Sequence, residues 1–497
     1  MRFVLAFLLL AVPPAAVAGE KPRTAAGKPS PEAKKAPEGT ALTVEECVLI
    51  ALRNNVDLRQ GRLGDRQAEL DHRSALAEFL PTLTASGSSS KTRESRETGT
   101  HQRTGRVGVS ARTPWGTTLS ATGNQTRSNT ERVTSSSSSL KAEVRQPLLH
   151  GAGTASAFYG YRSARRQRVA SREDLRRLAQ RTAFVVRQLY WSAIKNRLVV
   201  QANRRALKSA DYFLKATQAR LKAERASKLD VSNAEIQRSS REVALTGAEA
   251  SLESGLDSLK EAMDLSLTEK LKLTSAPAYS ARKRDPGELL KHALNRPDLR
   301  AARQRLEIKR LDLARKKRNA WPTLDLVAGH TWSGSGEGTD DSQTYNTRKS
   351  SIGLELSVPL GLLRQRNDYR KAALELRRED LALHSREVGV RKELRSVLRD
   401  LRAAERNLAS FEKRVAAARL AAAAASALYE RGKASSFDVV RAEDDLLGAE
   451  LGLARSRADC LTLDAELELV AGRPVKIRLT VERKPDSADD RGPKKDE

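Results

Sequence analysis

Few residue sets in this 497-residue chain could do covalent chemistry. The six histidines have no metal-ligand spacing. Gly151-Ala152-Gly153 follows a strand-like stretch, but a lone Gly-x-Gly lacks the rest of a phosphate-binding fingerprint. It reads as an easy junction between strand and helix. Gly334, Gly336 and Gly338 read as a loop tip. No catalytic constellation, cofactor fingerprint or metal-ligand set emerges, so an enzyme is not expected.

The most deliberately spaced polar residues lie in two turns. In Glu430-Arg431-Gly432-Lys433-Ala434-Ser435-Ser436-Phe437-Asp438, Gly432 can take the left-handed conformation that ends a helix. Ser435 with Asp438 three residues later starts another helix in capping-box fashion. Arg225-Ala226-Ser227-Lys228-Leu229-Asp230 repeats the pattern. The spacing is constant: 435 − 227, 438 − 230 and 443 − 235 all give 208. A second echo joins Asn55-Val56-Asp57-Leu58-Arg59 to Arg296-Pro297-Asp298-Leu299-Arg300, and Pro81-Thr82-Leu83 to Pro322-Thr323-Leu324, at a spacing of 241 (298 − 57, 322 − 81). The chain therefore reads as an internal duplication. Its first copy holds 241 − 208, or 33, extra residues between the proline and the turn.

The elements that position these turns are long helices. Leu376, Leu383, Val390, Val397, Ala404, Phe411, Ala418 and Ala425 recur every seven residues. From Leu394 a second row joins them through Leu401, Leu408, Val415, Ala422 and Tyr429, which defines a left-handed coiled-coil seam. Helices are expected over 156–223 and 363–430, each about 100 Å long at 1.5 Å per residue. Return helices are expected over 228–265 and 436–471. Thr43 with Glu46 caps a further helix over 43–80, with its counterpart over 286–320.

Between the leading and long helices the period changes to two. In the second copy Leu324, Leu326 and Ala328, then Ile352, Leu354, Leu356 and Val358, alternate with polar residues around a Gly/Ser/Thr/Asp loop at 333–347. Trp321 and Trp332 bracket the first of these strands as membrane-interface aromatics. Eleven residues at about 3.4 Å, tilted by about 40°, rise roughly 28 Å, close to the apolar band of an outer-membrane barrel. The first copy has more polar strand-like stretches at 82–94, 105–113, 117–127 and 138–146, with a turn at Pro114-Trp115-Gly116. Whether the added hairpin, 105–127, joins the barrel wall or folds against it stays open at this point.

Composition agrees with narrow helical seams. Hydrophobic residues make up 39%, aromatic 4% and charged 31%. Ninety Lys+Arg against 62 Asp+Glu give a net charge of +28. The basic residues are scattered and no aromatic platform accompanies them, so a solvated helix surface is expected and nucleic acid is not. Arg2, the apolar run Phe3–Val12, Pro13-Pro14 and Ala16-Val17-Ala18 read as a signal peptide over 1–18. Residues 19–40 read as a disordered leader and 474–497 as a charged tail. Cys47 and Cys460 read as buried thiols, the alternative being one disulfide. The organisation is then a first repeat over 41–275 (helix 43–80, strands 82–147, helical hairpin 156–265) and a second over 276–473 (helix 286–320, strands 323–358, helical hairpin 363–471).

No apolar stretch after the signal is long enough to span a bilayer as a helix, so entry into a membrane must be as a β-barrel. One chain offers few strands, and lipid tolerates no open sheet edge. Several chains must close one barrel, which gathers their helices into a tube beneath it. The fold class expected is an α+β membrane protein with duplicated coiled-coil helices and β-hairpins that share one barrel. The competing reading is a secreted basic coiled-coil scaffold that binds polyanions.

The duplicated order helix–strand–strand–helix–turn–helix resembles the outer membrane efflux protein family, the TolC-like channels. The resemblance covers about 41–473. It rests on Leu42-Thr43-Val44-Glu45-Glu46 with Ala51-Leu52, Gln146-Pro147-Leu148-Leu149, Arg431-Gly432 with Asp438-Val439, and Ala442-Glu443. It implies a homotrimer with a shared β-barrel in the outer membrane and an α-helical barrel through the periplasm. It implies a periplasmic adaptor, or membrane fusion protein, and an inner-membrane pump or ABC transporter, as in tripartite efflux or type I secretion. The docking tips would include Ser227 of the first turn and Arg431, Gly432 and Ser435 of the second. The periplasmic gate would involve Asp438 and the position three residues later, acidic in TolC-like channels but Arg441 here, with Asp230 and Asn233 in the first copy. Three Asp438 and three Arg441 side chains would then make a mixed-charge constriction. The plainer reading is that Asp438 only caps its helix.

Overall fold

The computed structural model describes residues 41–92, 99–130, 133–224, 226–274, 279–282, 284–337, 339–358 and 363–473. The expected signal peptide, leader and tail lie outside the described residues, as do Arg225, Gly338 and Pro359-Leu360-Gly361. In chain order the principal elements are α1 (Val44–Asn54), α2 (Val56–Ala77), β1 (Thr82–Thr92), β2 (Thr100–Arg112), β3 (Thr118–Thr130), β4 (Val133–Pro147), α3 (Tyr159–Lys222) and α4 (Lys228–Met263). The second half continues with α5 (Pro286–Ala293), α6 (Pro297–Asn319), β5 (Thr323–Gly336), β6 (Thr347–Ser357), α7 (Leu363–Glu430) and α8 (Ser436–Val470).

The leading helices differ from expectation. Neither 43–80 nor 286–320 is one helix. Asn55 takes an extended ψ of 130°, closes α1 and caps α2, its side chain accepting from Leu58 N at 3.2 Å. At the equivalent place Arg296 precedes Pro297, which excludes a helical ψ; the observed value is 157°. Arg296 compensates with ion pairs to Asp298 and Glu393, both at 2.8 Å.

The long helices, of 64 and 68 residues, run beside their return helices. Each hairpin is thickened partway along, where the short helices pack on it. In the first repeat Cys47, Val48, Ala51 and Leu52 of α1 bury against Val186, Tyr190 and Ile194 of α3 and Leu259 and Met263 of α4. In the second, Leu289 and Ala293 of α5 and Leu299 of α6 bury against Val390, Leu394, Val397 and Leu401 of α7. Toward the turn only one heptad row of α7 stays buried, at Leu408, Val415, Ala422 and Tyr429, while Phe411, Ala418 and Ala425 are half-buried. Phe411 fills the space over Gly452 of α8, where a Cβ would collide with its ring. Both cysteines are free and buried in separate clusters. Burial pushes the Cys47 thiol up to about 12 and Cys460 to about 11.

The strands form one antiparallel six-stranded sheet in the order β1-β2-β3-β4-β5-β6. The added hairpin β2–β3 is part of it. Over the half of the sheet nearer the helices, side chains in register divide between two faces, and farther out both faces are polar, with Arg103, Gln125, Arg127 and Ser138 on the side that is apolar below. One face carries rows such as Leu83-Val109-Ala121-Ala142 and Ala111-Leu119-Val144-Ala328-Ile352. The other carries Thr84-Gly108-Thr122-Lys141-Thr331-Lys349. On this polar face Arg145 of β4 bridges Asp325 of β5 at 3.0 Å and Glu355 of β6 at 2.6 Å. The edge strands β1 and β6 are exposed along all 11 residues of each.

The strands run longer than the alternation suggested. Ser135–Ser139 is a poor strand by propensity, yet it pairs with Asn124–Ser128 and, over Ser136–Ser139, with Ser333–Gly336. Cross-strand pairing overrides composition here. The loop expected at 333–347 therefore starts four residues late. Its turn at 339–342 folds back on the sheet, where Ser342 Oγ meets Ser138 Oγ at 2.8 Å. Gly334 and Gly336 are thus strand residues, and a Cβ at either would strike that turn.

Candidate gate at the helical tips

Both hairpin turns are built alike. Ser435 Oγ accepts from Asp438 N at 3.2 Å, while Ser435 N and Oγ donate to Asp438 Oδ2 at 2.9 and 2.7 Å. Ser227 and Asp230 make the same three bonds at 3.1, 3.0 and 2.8 Å. These bonds hold both carboxyls below the usual aspartate range. For Asp438 the Ser435 hydroxyl is the largest cause, and for Asp230 the Ser227 backbone N–H. Asp438 and Arg441 are exposed one helical turn apart, with no ion pair between them among the described residues. Asn233 is likewise exposed, one turn beyond Asp230. Of the docking candidates, Ser227, Arg431, Gly432 and Ser435 are all exposed.

The two turns lie side by side. Ser436 Oγ donates to Asp230 Oδ1 at 3.1 Å, so Asp230 caps one helix and ties it to the next repeat. The larger tie is Tyr429. Its ring sits under the Arg220 guanidinium at 4.0 Å and beside Phe213 at 5.3 Å, and its hydroxyl meets Thr217 Oγ1 at 3.2 Å. Arg220 also donates to the Tyr429 carbonyl, and Tyr212 OH to Glu430 at 3.3 Å. Arg241 of α4 pairs with Asp444 of α8, and Arg205 of α3 with Glu450 at 2.7 Å. Sequence reasoning placed Tyr429 only in a seam. That a tyrosine ends an alanine-rich row was the available sign of a hydrogen-bonded anchor.

At the opposite end, Trp332 lies on the same face of β5 as His330 and meets it edge-on, ring centroids 4.2 Å apart. Trp321 is 54% exposed just before β5. No helix among the described residues is long and apolar enough to cross a membrane.

The described residues form a duplicated helical hairpin on a six-stranded sheet, with linked tips. Residues 289–473, nearly the whole second repeat, match the family described as outer membrane efflux protein, which bears out the resemblance read from the sequence. The family description also names the compartment expected, the outer membrane. No curated protein sequence matches the chain. Among solved structures the chain is similar to the outer-membrane channel OprN, with a TM-score of 0.69 at 19% identity over 86% of this chain and 89% of that one. It is similar to the outer membrane protein VceC of Vibrio cholerae, at 0.68 and 17% over 86% and 96%. It is also similar to the CmeC outer membrane channel of Campylobacter jejuni, at 0.66 and 15% over 86% and 85%. At these identities the likeness establishes the fold.

Proposed function

We propose that this chain is the outer-membrane duct of an export system, a passive channel formed by three copies. The observation that carries the proposal is the sheet. Over its half nearer the helices it has one apolar and one polar face, and it has two unpaired edges and long helices leaving the same end. Apolar rows suit lipid, polar rows a water-filled bore, and open edges demand neighbours. Trp321 and Trp332 would then flank the lipid-facing band. The helices would line a tunnel through the periplasm, with their tips at its far end. A periplasmic adaptor would dock on the tips around Ser227, Arg431, Gly432 and Ser435. An inner-membrane pump or ABC transporter would supply the cargo, in tripartite efflux or type I secretion. The chain itself does no catalysis in this scheme.

The gate would be the ring of tips, with Asp438 and Arg441 of three chains at the constriction and Asp230 and Asn233 beside it. Cap and gate roles are compatible for Asp438, because capping uses only Oδ2. Extraction and planar-bilayer recording test the duct. A detergent-dependent trimer with stepwise conductance supports it. A single chain soluble in buffer and silent in a bilayer ends it in favour of a polyanion-binding scaffold.

A further inference from the structure

The sheet has more strands than one hairpin per repeat would supply. The second repeat gives β5 and β6, while the first gives β1 to β4. We infer that the added hairpin β2–β3 is lipid-facing wall, so that three copies close a barrel of eighteen strands, β6 of each chain pairing with β1 of the next. This rests on the trimeric duct proposed above.

Four observations carry it. The hairpin is paired into the sheet on both sides, 11 register pairs joining β1 to β2 and 13 joining β3 to β4. A plug or lid would leave β1 beside β4. Second, near its inner turn the hairpin keeps the division of faces: Val107, Val109, Ala111, Leu119 and Ala121 share the apolar side, which turns polar only farther out at Arg103, Gln125 and Arg127, and Arg106, Thr122 and Asn124 share the polar side. A hairpin lodged in a water-filled bore has no use for an apolar face. Third, β1 runs away from the helices and β6 returns to them. Neighbouring copies therefore meet antiparallel, as an even-stranded barrel requires. Both edges are 11 residues long, so neither leaves an overhang. Fourth, the inner turn of the hairpin is seated on the strand-to-helix junction, where Gly153 N donates to Trp115 O at 3.0 Å. It is held at the level where the wall ends.

The count sets the bore. Eighteen strands about 4.8 Å apart, tilted about 40°, close at a backbone diameter of about 36 Å, against about 24 Å for twelve. A barrel of that width does not sieve cargo, and selection by size passes to the helical tips.

Cysteine labelling in the full chain tests this, with Cys47 and Cys460 replaced by Ala to remove background. Arg106→Cys and Thr122→Cys report the polar face of the hairpin, Val109→Cys and Ala121→Cys the apolar face. In lipid vesicles, with three chains per particle shown by cross-linking, a membrane-impermeant maleimide is expected to label the polar pair about tenfold faster or more, because lipid shields the other pair. Lipid-borne quenchers are expected to reach probes only at Val109 and Ala121. A trimer in which both pairs label alike overturns the eighteen-strand wall and leaves the duct standing. Absence of a trimer overturns both. Excising residues 99–130 is a second variant. It brings Leu83 opposite Ala142 without exchanging faces, and an unchanged polymer-exclusion size from the barrel side would also overturn the inference.

Discussion

Glu224 and Gly432 occupy the same place in two copies of one turn, 208 residues apart, and both are left-handed, with φ of 55° and 73°. Each donates its N–H back to the residue three before it, Leu221 O at 3.0 Å and Tyr429 O at 2.9 Å. Only the second copy uses the residue that takes this conformation without strain.

Exchanging these residues should therefore act in opposite directions. Gly432→Ala is expected to weaken its tip by about 1 kcal/mol and Glu224→Gly to relieve the other by up to about 1 kcal/mol. Hydrogen exchange at 219–224 and 427–432 reads each tip separately, and equal effects of like sign at both would contradict the strain argument.

Ser435→Ala separates cap from charge. It removes the hydroxyl that both donates to and accepts from Asp438, at a cost of about 1 kcal/mol, and leaves the carboxylate in place. Ion selectivity should stay unchanged in Ser435→Ala but shift toward anions in Asp438→Ala, and toward cations in Arg441→Ala. Unaltered selectivity and gating in both charge variants removes these residues from the gate.

Tyr429 is the anchor between repeats. Tyr429→Phe loses one hydrogen bond, worth about 1 kcal/mol, whereas Tyr429→Ala also empties the site under Arg220, about 3 kcal/mol or more. If the tie between repeats holds the tips closed, open probability in bilayers rises in that order. Equal conductance histories for both variants and the parent would place the gate elsewhere.

Acid should loosen both turns. The folded-state pKa of Asp230 and Asp438 lies below the ordinary value of 3.8, so their contribution is present above that value. It is lost as pH falls through the depressed values. Proteolytic nicking between 223 and 235, and between 430 and 443, is expected to rise below about pH 3.8 and to be flat from pH 5 to 8. Loosening that instead begins near neutrality points to groups other than these caps.

Gly452→Ala forces a methyl into the Phe411 ring and should separate α7 from α8, costing about 1–3 kcal/mol by thermal unfolding. Phe411→Leu in the same chain makes room and is expected to recover most of the loss.

The duplicated turns were legible because capping and left-handed positions fix residue types locally, as at Ser227–Asp230 and Ser435–Asp438. The seam of α7 was legible because heptads report a buried stripe. Which helix meets that stripe is a tertiary fact, and so the bond between Asp230 and Ser436 and the seating of Tyr429 on α3 were not visible. The break at Asn55 was hidden because asparagine is an ordinary helix-surface residue until its side chain is seen capping Leu58. The serine run in β4 carries no strand preference, and only its partners on both sides make it one. The gate candidates Asp438, Arg441, Asp230 and Asn233 were placed by analogy, and geometry adds only that the two aspartates cap their helices.

The unequal division of the sheet, four strands from one half and two from the other, has a topological reason to come in pairs. A single inserted strand would deliver the chain to the wrong end of the wall. Every helix from α3 onward would then leave the opposite end of the sheet from α1 and α2. Going out and coming back is the smallest detour that leaves the itinerary of the remaining chain untouched. In the trimeric duct proposed above, growth in circumference would therefore be quantised, two strands per chain and six per threefold ring.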